Sequence, residues 1–106
     1  MNNAILAAAA LVLSGLPFPA PRGVEATDKT RCDWGPLASV SPDGSQLVVT
    51  TQTRPETFKI RPEVQVFDAE GKRLASVKAL KVGQDVRVYY ILENGLNAKV
   101  QEVDAL

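Results

Sequence analysis

A chain of 106 residues allows one domain at most, with one small core. Twelve basic residues against twelve acidic ones, and no histidine, leave no positive field of the kind that draws a protein to nucleic acid or anionic lipid. The single cysteine, Cys32, excludes an internal disulfide, so an exported form of the chain must stand on packing alone.

Residues 4–13, "AILAAAALVL", are an unbroken apolar run, followed by Ser14, Gly15 and the proline-rich stretch "LPFPAPRGVEA". An apolar helix with a polar, helix-breaking tail is the pattern of a secretory signal. Cleavage is expected after Ala26, because Val24 and Ala26 supply small residues at the third and first positions before the cut, whereas a cut after Ala20 would be followed directly by Pro21. The mature chain is then periplasmic or secreted. The alternative is an uncleaved helix that anchors the chain in a membrane. Even extended to Phe18 the apolar stretch falls short of the ~20 residues of a spanning helix, although "MNN" lacks the usual positive charge of a signal. Membrane contact is expected only if the leader is retained.

Residues 27–36 read as an irregular N-terminal arm, and residues 37–106 as the folded domain. "PLASVSPDGSQLVVTTQT" is a hairpin by its own chemistry: Pro42 presets φ, Asp43 can bond its neighbouring backbone, and Gly44 tolerates the left-handed conformation. In "ETFKI", Phe58 and Ile60 share a face; Arg61 and Pro62 interrupt the alternation, and "EVQVFD" resumes it before the turn "DAEGK". "RLASVKAL" breaks the period of two. Its Leu74, Val77 and Leu80 recur every third residue, as in a helical turn placed to plug one end of a barrel. In "LKVGQDVRVYYILENGLNAKVQEV", Val86, Val88, Tyr90 and Leu92 alternate with Arg87, Tyr89 and Ile91 ahead of a turn at Asn94 and Gly95. Val100 and Val103 cannot share a face at a strict period of two, so an irregularity is expected between them. The expectation is an all-β chain: a small five-stranded barrel with one short helical turn before strand 4, preceded by an N-terminal signal helix. Closure leaves no exposed sheet edge in a domain without disulfides.

The segments "TRPETFKI" and "LKVGQDVRVYYILENGLNAKVQEV" together resemble the small periplasmic OB-like barrels typified by the CusF copper chaperones. The resemblance spans roughly residues 37–104 and implies an OB-like fold. It also implies a test of function, since those chaperones are said to hold Cu(I) with a histidine, two methionines and a stacked tryptophan, the soft donors that ion requires. This chain has no histidine, and its one methionine is Met1. Where the family places tryptophan and methionines, the sequence has Arg54, Pro55, Glu56 and Thr57. No metal ligand carries over, and no cofactor is expected.

Four residues stand out as weak candidates for a protein-interaction site: Cys32, Trp34, Tyr89 and Ile91. Cys32 could link two chains by a disulfide with Trp34 as an aromatic anchor; the plainer reading is a small buried hydrophobe beside a tryptophan that packs over the barrel mouth. Tyr89 and Ile91 fall opposite the Val86–Val88–Tyr90–Leu92 face, where they mark a partner surface, are covered by the arm, or face inward with the assignment of faces reversed. A nucleic-acid groove is not indicated: the second and third strands offer Thr50, Thr51, Thr53 and only Phe58 for stacking. Asp43, Asp68, Glu70 and Glu93 sit in separate turns, and there is no histidine base or phosphate loop, so no enzyme is expected. The sequence thus points to an exported, noncatalytic binding module, an accessory subunit that contacts another envelope protein; an atypical metal- or ligand-binding relative of the copper chaperones is the alternative.

Overall fold

A computed structural model describes residues 17–106. The expected signal helix lies outside the described residues. No helix among the described residues is long and apolar enough to cross a membrane.

Seven strands run β1 (Arg31–Val40), β2 (Gln46–Thr50), β3 (Pro55–Lys59), β4 (Gln65–Phe67), β5 (Arg73–Leu74), β6 (Asp85–Glu93) and β7 (Asn97–Ala105). A single 3-10 turn, Val77–Ala79, precedes β6. The strands form one sheet in the order β3-β2-β1-β6-β7-β4-β5. All pairs are antiparallel except β4 with β7. β1 is shared: its first half pairs with β6 (Cys32 opposite Tyr89, Trp34 opposite Arg87) and its second half with β2 (Leu37 opposite Val49). The sheet curls around a single core of Leu37, Leu47, Val49, Phe58, Val64, Val66, Val86, Val88, Val100 and Val103, with Val77 and Leu80 of the 3-10 turn inserted among them. Ser76 caps that turn by accepting from the Lys78 amide.

The all-β class and the helical turn ahead of the last hairpin are as the sequence implies. Two expectations are corrected. The expected five-stranded barrel, closed or nearly closed, is instead seven strands whose hydrogen-bonded ladder stays open, with β3 and β5 at its edges. The physical reason is the interruption at Arg61 and Pro62: proline ends the β3 ladder, and the chain resumes as β4 between β7 and β5, so one expected strand becomes two short ones toward opposite ends of the sheet. β3 nevertheless packs near β7, which gives the molecule its barrel-like form. The turn after β4 is held by the Asp68 carboxylate, which accepts from the Glu70 and Lys72 amides and returns the chain as β5.

The second correction concerns the irregular arm at residues 27–36. From Arg31 onward it is the first half of β1, laddered to β6 through to Pro36. Asp33, Gly35 and Pro36 disguise a strand whose order comes from the neighbouring β6. The irregularity near Val100 is present: Tyr89 faces Glu102 and Tyr90 faces Val100, which leaves Gln101 as the extra residue of a bulge. That bulge keeps Val100 and Val103 both inside. It also turns Glu102 and Asp104 to the outer face.

Candidate functional site

The four residues singled out in the sequence lie on strands β1 and β6, but not in one environment. Cys32 and Tyr89 are cross-strand partners and both are buried. The Cys32 thiol is free, and burial pushes it up to about 12, so almost none is thiolate near neutrality. Tyr89 is completely covered on the outer face. Its hydroxyl donates to the Pro19 carbonyl at 2.8 Å, and Phe18 meets its ring edge-on at 5.9 Å. Burial pushes the phenol up to about 12. The cover therefore comes from the segment just ahead of Thr27, within the stretch read as leader, and not from the arm at residues 27–36. Ile91 lies farther along β6 opposite Lys99 and is half-buried.

Trp34 differs from the other three. It is 48% exposed and stands on the rim of an open cleft lined by Asp33, Thr51, Gln52, Thr53 and Glu56. The cleft is built where β1 crosses from β6 to β2, and the loop at residues 51–54 forms its far wall. That loop is fixed by Thr51, whose hydroxyl donates to the Arg54 carbonyl at 2.7 Å. Asp33 accepts from the Tyr90 hydroxyl at 3.1 Å. Across from it, the Glu56 carboxyl is held above the usual carboxylate range, first by hydrogen bonding with Asp33, then by partial burial and the Asp33 charge, with Arg54 opposing. Arg54 reaches Glu56 at 3.5 Å from a mostly exposed position. The cleft thus brings together an aromatic face, two carboxyls and three hydroxyl or amide side chains. Glu56 also borders a second groove, along Pro55, Thr57, Phe58, Tyr90 and Leu92 to Leu96, which is 82% exposed at the β6–β7 turn.

Asp33 stands out in sequence only as part of the Cys32–Asp33–Trp34 cluster, and Glu56, Thr51 and Leu96 were not singled out as site residues. The approach of Asp33 to Glu56 depends on β1 lying between β6 and β2, an arrangement no local pattern encodes. The remaining acidic residues of the turns have structural partners of their own. Asp43 accepts from the Ser45 amide and the Ser41 and Ser45 hydroxyls, which hold it down to about 2. Glu93 pairs with Arg61 at 3.2 Å. Among the described residues no three histidine, cysteine, aspartate or glutamate side chains are grouped so as to hold a metal ion.

A solved structure of CusF from Escherichia coli, a tryptophan-to-alanine variant with Cu(II), is similar to this chain with a TM-score of 0.52 at 12% identity, over 78% of this chain and 99% of that one. At that identity the likeness is one of fold. No protein-family model matches the chain, and no curated protein matches it in sequence.

Proposed function

We propose that this chain is an exported, noncatalytic OB-like module that binds another envelope protein, and that the contact is made at the Trp34 cleft. The observation that carries the reading is the half-exposed tryptophan beside the Asp33 and Glu56 carboxyls. Tryptophan is among the side chains whose burial most often dominates a protein interface, and a carboxyl pair beside it favours a cationic partner residue. Arg54, already touching Glu56, is this chain's own example of a guanidinium at the site. The buried, poorly ionised Cys32 supports contact through side-chain packing over contact through a disulfide.

The test is crosslinked capture from the envelope fraction with a C-terminally tagged chain, comparing wild type with Trp34→Ala. A specific partner should be recovered with wild type and bind the variant at least about 30-fold more weakly, the scale of a hot-spot loss of about 2 kcal/mol. Equal recovery by both, or no partner with either, contradicts the proposal. The fold likeness to CusF favours a second reading, an atypical metal-binding module. Submicromolar Cu(I) binding by the monomer would put that reading first.

A further inference from the structure

We propose that residues 18–24 stay on the mature protein as an integral strap of its fold, so that any removal of the leader occurs on the N-terminal side of Phe18 and not after Ala26. The strap crosses the outer face of β6, β7 and β4 and is fitted to each. Three consecutive amides, of Arg22, Gly23 and Val24, donate to the Glu102 carboxylate at 2.6, 2.8 and 2.7 Å. Glu102 has no exposed surface. A carboxylate so placed is held by backbone donors that only this segment supplies.

The fit extends to both sides of that cradle. Upstream, Phe18 and Pro19 cover Tyr89 and satisfy its hydroxyl. Arg22 donates to the Asp68 and Ala69 carbonyls of the β4–β5 turn, and its guanidinium lies 4.0 Å from Asp104. Gly23 sits so close to β4 that a Cβ there would come within 2.8 Å of two Phe67 ring carbons and collide with the Gln65 amide. Signal peptidase acts on a chain in transit, before folding, so this packing would not shield Ala26; the inference rests on what the folded domain uses. Removal through Ala26 would strip Tyr89 of its cover and leave Glu102 and Asp104, two carboxyls on one face of β7, without the strap's amides and without the Arg22 guanidinium. The sequence is compatible with an earlier cut, since the apolar run ends at Leu13 and the small residues Ser14 and Gly15 follow directly.

The test starts from the full-length chain with a C-terminal tag, exported in a bacterial host, with intact mass and N-terminal sequencing of the envelope product. A first residue at or before Phe18, an uncut chain included, supports the strap. A first residue anywhere from 19 to 27 overturns it. In the same full-length background, Gly23→Ala should lower the Tm of the purified product by about 5 °C or more, while Glu25→Ala, at an exposed neighbour, leaves it unchanged. A Gly23→Ala product with the wild-type Tm overturns the proposal independently.

Discussion

Replacing Glu102 by alanine should cost about 3 kcal/mol of stability and lower Tm by roughly 10 to 20 °C in a domain of this size. The side chain is fully buried and is the acceptor for three strap amides. Alanine leaves those three donors facing a protein surface, and each unsatisfied buried donor costs about 1–3 kcal/mol. The strap limits the total by lifting off and returning its amides to water, so the loss approaches the free energy of docking the segment and does not reach the sum of three orphaned donors. Thermal unfolding of the full chain measures the loss. Limited trypsin digestion reports its cause, because cleavage after the exposed Arg22 requires the backbone there to be released from Glu102. A variant with wild-type Tm and an intact Arg22 would mean that the strap contributes nothing.

The second large effect is a dependence of stability on pH that centres on Asp104. Its two carboxyl oxygens are buried and have no hydrogen-bond partner; the Arg22 guanidinium stands 4.0 Å away, within reach of its charge only. Burial first, and then the hydrogen bond and charge of Glu102, raise Asp104 to about 8, against the partial opposition of Arg22. The charged and titratable groups around it are Glu102 on its own strand, Arg87 opposite it and Tyr89 on β6, Cys32 on β1, and Arg22 of the strap above. A protonated Asp104 can donate to the Glu102 carboxylate, which resolves the missing partner.

The folded chain therefore keeps a proton on Asp104 between about pH 4 and pH 8 that the unfolded chain has released. With more protons bound in the folded state, stability is full below the unfolded value and falls as pH rises through that window, by up to roughly 1.4 kcal/mol per pH unit. Asp104→Asn carries the shape of the protonated acid with nothing to titrate. It should match wild type near pH 4, exceed it at pH 8, and remove the slope. Denaturant unfolding at several pH values measures this. A wild type whose stability rises toward pH 8, or an Asp104→Asn curve parallel to it, would contradict the assignment.

These two carboxyls illustrate what the sequence does and does not reveal. The core was legible because β6 alternates cleanly and Asn94 and Gly95 mark its turn, both with positive φ. The bulge at Gln101 was legible for the same reason, as a break in the alternation of Val100 and Val103. Glu102 and Asp104 then fall on the outer face, where charged residues are ordinarily solvated; nothing local shows that a distant segment covers them. That segment is a Pro- and Gly-containing stretch without periodicity, and it makes most of its contacts through backbone amides and carbonyls, which side-chain patterns do not record. The first half of β1 was missed for a related reason: Asp33, Gly35 and Pro36 are poor strand formers, and the ladder with β6 overrides their propensities. Of the candidate site, Trp34 was legible as an unusual residue. The carboxyl pair was not, because Asp33 adjoins Trp34 in sequence but Glu56 reaches it from β3 only through the sheet order.

Trp34 is the chain's only tryptophan, so its fluorescence reports on the proposed contact without background. The measurement is acrylamide quenching of the purified chain alone and in the complex recovered with its partner, using a tryptophan-free form of the partner where it has tryptophans. Binding through the cleft predicts a red-shifted, readily quenched indole in the free chain and a blue-shifted, protected one in the complex. An indole equally accessible in both states, in a complex that is otherwise intact, would show that the partner binds elsewhere.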